Sequence, residues 1–451
     1  MNIIFGVVFF VVLAAAALLG ACAGQSTLVP IDPPPKSAFA AASVERGAQL
    51  AAVGNCNVCH TASSGRPYAG GRPFKTPFGT VYSTNITPEP DTGIGRWSEA
   101  AFVRAMREGL DREGRHLYPA FPYDHFTRLT DEDLKAIYAF IMTRDAVRAE
   151  GRANELRFPF GFRSLLSAWK LLFLERGVFQ ADSSKTAEWN RGAYLVEGLG
   201  HCGACHTPRN RLGAEKKRAH LAGGEVEGWH SPALNADSPS PVPWTAGQLQ
   251  MYLATGLVDG HAITAGPMEP VVHNLSAVPE RDVRAIAGYL AAVAGAPSER
   301  RQKKARDALA HAQREMAAYP LRAPADPSVA EEAGQSNRSG ESIYFGACAA
   351  CHDRGRETTS EGALHLALGT VMTLPTSANL VRIIMTGIIP AEGEAGRFMP
   401  AYANELTDAQ IRDLVDYIRA YFARAPAWDD VEAEVKKVRE ELSAANANAG
   451  G

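Results

Sequence analysis

The chain has 451 residues, a length that suggests about three domains. Its hydrophobic content of 46% is ordinary for a globular protein. A formal net charge of −3 points to no nucleic-acid partner.

Residues 1–22 stand apart. MNIIFGVVFFVVLAAAALLGA has no charged side chain and ends in Cys22, after which the chain turns polar and Pro-rich from Gln25 to Lys36. The run is long enough to span a bilayer, and its start lacks the Lys or Arg of an ordinary signal peptide. A cleaved secretory signal, an uncleaved membrane helix and a lipoprotein signal compete. Leu19-Gly20-Ala21-Cys22 resembles a lipobox, which would make Cys22 a lipidation site. That reading leads, because small residues are what signal peptidases need, and the uncleaved helix stays open. Either anchor would hold the rest of the chain on the periplasmic side of a bacterial cytoplasmic membrane.

From residue 40 the elements repeat. In residues 40–150, ERGAQLAAVGN reads as a short helix running into Cys56-Asn-Val-Cys59-His60. Trp97-Ser98 opens an amphipathic helix with an N-cap, and that helix ends at Gly109. Thr130-Asp-Glu-Asp133 is a capping box before the closing helix DLKAIYAFIM. Residues 151–185 form a linker whose apolar, aromatic stretch FRSLLSAWKLLFL (162–174) is expected to pack. Residues 186–296 repeat the order. NRGAYLVEGLGH runs into Cys202-Gly-Ala-Cys205-His206, Trp244-Thr245 opens a helix ending at Gly256, and RDVRAIAGYLAAV closes the unit.

Residues 297–334 form a helical linker. Its basic stretch SERRQKKARDALAHAQREM (298–316) reads as a solvated helix face, with contact to anionic lipid headgroups as the alternative. Residues 335–425 carry SGESIYFGA, Cys348-Ala-Ala-Cys351-His352, the helix NLVRIIMTG ending at Gly387, and a capping box at Thr407-Asp-Ala-Gln410 before IRDLVDYIRAYF. A tail follows, residues 426–451. No segment shows sustained strand alternation.

There are seven cysteines, and apart from Cys22 all six sit in three copies of C-x-x-C-H. Cys56 to Cys202 and Cys202 to Cys348 are both 146 residues. C-x-x-C-H is the attachment signature for c-type haem. Two thiols one helical turn apart add across the two vinyl groups of a porphyrin, and the adjoining imidazole reaches the iron. Structural zinc pairs two C-x-x-C units, so three units leave one over. A redox dithiol wants a βαβ context, which is absent. Disulfides would not place a His after every second Cys. The expectation is therefore three covalently bound c-type haems, held by Cys56, Cys59, Cys202, Cys205, Cys348 and Cys351, with His60, His206 and His352 on the irons. The expected fold class is all-α, with three tandem class I cytochrome c-like domains, each wrapped around its haem.

An electron-transfer haem usually takes a second axial ligand, often a Met thioether. Twelve residues after Gly256 stands Met268, and twelve after Gly387 stands Met399, both in Pro-bearing loops. Both are read as sixth ligands, while Met106, Met251, Met372 and Met385 are read as core. The same count from Gly109 reaches Phe121, whose ring cannot bind iron. His125, four residues on, is the favoured replacement, and it would give a bis-His iron of lower potential. Met142 and an open, five-coordinate iron remain alternatives. His116 is expected to be an exposed polar residue.

TPFGTVYSTNITPEPDTGIGRWS, LYPAFPY, RGAYLVEGLGHCGACHTPRN and AGPMEPVV resemble the trihaem cytochrome c subunits of bacterial membrane-bound dehydrogenases. The resemblance covers nearly all of residues 40–425. One branch of that family serves quinoprotein (PQQ) alcohol dehydrogenases and flavoprotein gluconate-type dehydrogenases, and it typically has Met at the place of Phe121. Phe121 with His125, and the tail WDDVEAEVKKVREEL (428–442), look instead like the branch that accompanies molybdenum hydroxylases: aldehyde, isoquinoline or nicotinate dehydrogenases.

The resemblance implies a non-catalytic electron-transfer subunit. A molybdopterin large subunit and a [2Fe-2S] small subunit would deliver electrons, and ubiquinone or a terminal oxidase at the membrane would take them. The rival from another class is a peroxidase-like haem enzyme with an open first iron.

Overall fold

The computed structural model describes residues 26–318, 338–352, 366–389 and 398–449. The N-terminal apolar run and Cys22 lie outside these residues. Among the described residues no helix is long and apolar enough to cross a membrane. The chain forms two compact units. The first takes the chain up to Ala204 together with Arg209–Arg218 and Asn274–Tyr289; the second takes Cys205–Pro208, Ala219–His273 and the chain from Leu290 onward. Residues 186–296, expected as one domain, are thus shared between the two units.

In the first unit, helix Ala41–Val53 crosses helix Asp131–Met142. The crossing is close because residue 47 is Gly: a Cβ there would fall on the carbonyl oxygen of Ala136. Beside it, Arg46 Nε donates to Asp133 Oδ1 at 2.8 Å. The same arrangement recurs where Gly192 of helix Ala187–Tyr194 abuts the Ala285 carbonyl of helix Glu280–Ala294. There Arg191 holds Asp282 through two hydrogen bonds of 2.9 and 2.8 Å. In the second unit, Gly340 of helix Arg338–Ile343 abuts the Asp413 carbonyl of helix Asp408–Ile418. The residue before it is Ser339, which has no charge to pair.

The helix-start signals act as the sequence suggests, with one difference. Ser98 accepts from the Ala101 amide, and Thr245 with Gln248 and Thr407 with Gln410 form complete capping boxes. Thr130 accepts from the Asp133 amide, but the Asp133 carboxylate does not return the bond. It is drawn instead to Arg46 and to the Tyr194 hydroxyl, which donates at 2.7 Å. Gly109 and Gly256 end their helices at φ 61° and 76°, left-handed values that suit glycine.

The expectation of an all-α fold needs correction. The chain is largely helical, but it also carries short antiparallel strands. Pro73–Thr76 pairs with Gly79–Tyr82, which pairs in turn with Glu155–Leu156. Gly224–Val226 pairs with Trp229–Ser231, and Leu257–Val258 with Ala262–Ile263. Strands of two to four residues are too short for alternation to register.

The apolar linker forms helix Leu165–Phe173, yet Phe162, Leu165, Leu171 and Leu172 are exposed rather than packed. Its anchor is the buried Lys170, whose ammonium donates to the carbonyls of Glu108 and Gly109 at 2.6 and 2.7 Å. A cation there satisfies the carbonyls left over at the end of helix Glu99–Glu108. The tail is equally part of the fold: helix Val431–Ala449 buries Val431, Val435 and Val438 in the core of the second unit. Met106, Met372 and Met385 are buried as expected, whereas Met251 is exposed. His116 is buried, opposite Leu110 in a short bridge, and not an exposed polar residue.

Candidate haem-attachment sites

The first motif begins where Asn55, at φ 51°, turns the chain out of helix Ala41–Val53 and into the single turn Cys56–Cys59. The six motif cysteines are thiols, with no disulfide between them. Burial, together with the neighbouring Cys59, pushes the Cys56 thiol up to about 12, so it stays protonated. The His60 Nδ1 lies 2.7 Å from the carbonyl oxygen of Thr84. A carbonyl can only accept, so Nδ1 carries the proton and Nε2 is the lone-pair nitrogen. Desolvation lowers the pKa of His60 and keeps the ring neutral.

The second motif repeats this arrangement. His206 Nδ1 lies 2.7 Å from the carbonyl of Pro232, and desolvation lowers its pKa as well. In both cases the carbonyl lies within two residues of the end of a short hairpin, two after Tyr82 and one after Ser231. Sequence reasoning missed these orienting carbonyls. Two thiols one turn apart, beside a neutral imidazole whose tautomer is fixed by a carbonyl, fit the donor set of a c-type haem. The third motif has Cys348 buried and Cys351 exposed, and His352 ends the turn Ala349–His352.

The loops expected to supply sixth ligands agree in register for the first two repeats. Leu117 N donates to Gly109 O at 2.7 Å and Thr264 N to Gly256 O at 2.8 Å, each eight residues after the glycine. Phe121 and Met268 stand four residues further on, at the same place in each loop. Met268 opens helix Met268–Ser276 and is half-buried. Gly266, two residues earlier, lies so close under the Trp229 indole that a Cβ would clash with it. In the third repeat Met399 takes a different place: it is itself bridged to Ile388, with N–O distances of 2.9 and 2.8 Å. The twelve-residue count is met there along another backbone path.

Both ring nitrogens of His125, the favoured sixth ligand of the first iron, are hydrogen-bonded within the chain. Nδ1 lies 2.9 Å from the Glu197 carbonyl, and Nε2 lies 2.7 Å from Glu215 Oε1. Both acceptors lack protons to give, so both ring nitrogens donate and neither keeps a lone pair for iron. His125, Asp124 and Glu215 bring ligand atoms within 4.8 Å of one another, forming a charged cluster. Phe121 turns its ring to Phe126, with centroids 5.4 Å apart. Met142 is buried at the end of helix Asp131–Met142.

Comparison with known proteins agrees with this geometry. Residues 44–145 match the cytochrome c family, and residues 335–418 match the family of cytochrome c oxidase, cbb3-type, subunit III. Two such matches indicate at least two covalently bound haems. A nicotinate dehydrogenase subunit of Pseudomonas putida is 45% identical over 430 residues, covering 94% of this chain and 34% of that protein. The chain thus spans about a third of that relative's length. The fructose dehydrogenase cytochrome subunit of Gluconobacter japonicus is 36% identical, over 91% of this chain and 85% of its own length. The alcohol dehydrogenase (quinone) cytochrome c subunit of Gluconobacter oxydans is 31% identical, over 88% and 82%. With paired thiols and oriented imidazoles in place, and with relatives matching along most of their length, the chain belongs to the family of cytochrome c electron-transfer subunits of dehydrogenase complexes.

Proposed function

We propose that the chain carries three c-type haems and relays electrons from a molybdopterin-containing large subunit, through a [2Fe-2S] small subunit, to ubiquinone or a terminal oxidase. The observation that carries this reading is the 45% identity, along nearly the whole chain, to a nicotinate dehydrogenase subunit, against 36% and 31% for the fructose and alcohol relatives. Phe121, where the alcohol-oxidising branch typically has Met, points the same way. A cytochrome subunit of a PQQ alcohol dehydrogenase or a flavin gluconate-type dehydrogenase is the alternative within the family.

When bound, haem supplies a reversible one-electron change at iron. The chain's own residues do the rest. Cys56 with Cys59, Cys202 with Cys205 and Cys348 with Cys351 fix each porphyrin covalently. The Thr84 and Pro232 carbonyls leave Nε2 of His60 and His206 as the nitrogens that would take iron, and His352 would do so in the third motif. Met268 and Met399 would supply soft sixth ligands, which favour ferrous iron. Acylated Cys22 would anchor the chain at the membrane.

The engagement of both His125 nitrogens favours one second reading, a five-coordinate first iron, with Met142 as the remaining ligand candidate. The deciding experiment is purification of the complex from its native membrane. A co-purifying subunit containing molybdopterin supports the proposal, and one containing PQQ or flavin overturns the partner assignment. Spectra of the reduced protein with and without carbon monoxide test the first iron: a shift reports open coordination.

A further inference from the structure

The first attachment motif is gripped from both sides by residues of the second repeat. His201, the residue before Cys202, has its Nε2 3.3 Å from the carbonyl oxygen of Gly54, two residues before Cys56. On the other side, the Asn274 amide donates to Asn55 Oδ1 at 2.8 Å and to Asn57 Oδ1 at 3.0 Å. Asn57 returns a longer bond, 3.4 Å, to Asn274 Oδ1. These two asparagines flank Cys56. Asn274 itself lies on the helix that opens at Met268. Between the two contacts, Leu199 covers Gly54 so closely that a Cβ there would meet its methyl at 3.0 Å.

This seam is costly to build. Asn55 and Asn274 are buried, so each amide must be paired, and an orphaned one costs roughly 1–3 kcal/mol. Asn55 and His201 both adopt left-handed φ, 51° and 36°, where non-glycine residues are uncommon. Each turn stands immediately before the first cysteine of its motif. Strained backbone of this kind persists where the surroundings over-determine it.

We propose that His201 and Asn274 are positioning residues that hold the first haem-attachment motif against the second, so that electrons pass between these two attachment sites across this seam. The inference rests on the relay reading and adds a step to it: the first and second haems are consecutive. Neither residue is an axial ligand, so each acts through the motifs it holds.

The test uses the full, haem-loaded chain. His201→Asn keeps a residue that tolerates left-handed φ but withdraws the donor from Gly54, whereas the longer His201→Gln can place an amide donor where Nε2 stands. Asn274→Ala removes the other contact. Haem content is read by mass spectrometry, axial ligation by absorption spectra, and internal electron transfer by flash photoreduction. Transfer between the first two haems should slow several-fold in His201→Asn and in Asn274→Ala, and recover in His201→Gln, with haem content and spectra unchanged. If His201→Asn fails to load haem, Asn274→Ala decides alone. Wild-type rates in both variants overturn the proposal and leave the relay intact. Absence of internal transfer in the wild-type protein would overturn the relay reading itself.

Discussion

Buried His125 and half-buried Glu215 form an ion pair, Nε2 to Oε1 at 2.7 Å, which engages a ring nitrogen that an iron would need. Desolvation alone would lower the His125 pKa, but the hydrogen bond and charge of Glu215, with Asp124 and the Glu197 carbonyl, outweigh it and raise it. Arg209, 4.0 Å from Glu215, and His201, which desolvation and the His125 charge lower to about 4, are the other ionisable neighbours.

The sign of the pH dependence follows. A histidine whose folded pKa is raised contributes stability that is fully present below its ordinary pKa of about 6.5 and lost as pH rises through the folded value. Asp124, whose pKa burial raises, acts with the same sign. Glu215→Gln should therefore lower stability by about 3 kcal/mol at pH 6 and flatten the decline seen above it. His125→Gln should leave every low-spin ferric signal in place. Conversion of one signal to high-spin in that variant would restore His125 as a ligand.

Gly47, Gly192 and Gly340 each allow two helices to touch backbone to backbone. Alanine at any of them forces the helices apart, because the neighbour struck is a carbonyl and not the end of a flexible side chain. Each substitution should destabilise by about 3 kcal/mol, the upper part of the range for overpacking. Gly151→Ala is the control: nothing lies within 4 Å of its Cβ position, and the change should stay within about 0.5 kcal/mol. Denaturant unfolding of the four variants reads the difference. Equal midpoints for Gly47→Ala and Gly151→Ala would refute the close crossing.

The sequence carried the attachment motifs, the helix caps and the 146-residue spacing, because each is a local pattern of a few residues. What it concealed is long-range. The Thr84 and Pro232 carbonyls lie 24 and 26 residues from the histidines they orient, and a backbone carbonyl leaves no mark on residue type. The hairpins that deliver them are too short for alternation. The register brings His125 forward as a ligand, but it says nothing of Glu215, 90 residues away, whose carboxylate meets that ring. Lys170 illustrates the same limit: an apolar stretch read as packing is anchored by a charge within it.

Met268 and Met399 give a prediction that separates register from geometry. Each replacement by Ala should abolish one weak thioether-to-iron charge-transfer band and lower one haem's potential, since a soft neutral ligand favours ferrous iron. Because Met399 reaches its place along a different backbone path, the two variants need not agree. Loss at Met268→Ala with no change at Met399→Ala would confine the shared register to the first two loops. Near-infrared spectra and a redox titration of each variant provide the reading.

The tail offers the last test, because it resembles an extension yet behaves as core. Trp428, Val431, Val435 and Val438 are all buried in the second unit, and Trp428 Nε1 donates to the Leu374 carbonyl at 2.9 Å. Arg382, buried beneath the tail, holds Glu441 through bonds of 2.7 and 3.2 Å. Burial of one such apolar side chain contributes roughly 1.5–3 kcal/mol, so four of them match the whole stability of a typical domain. Deleting residues 428–451 should therefore unfold the third repeat, and the haem at Cys348 and Cys351 should be lost while those of the first two motifs remain. Arg382→Leu, which leaves the apolar contacts in place, should cost less and keep haem content intact. A truncated protein that retains all its haems and its unfolding midpoint would show that helix Val431–Ala449 is an appendage after all.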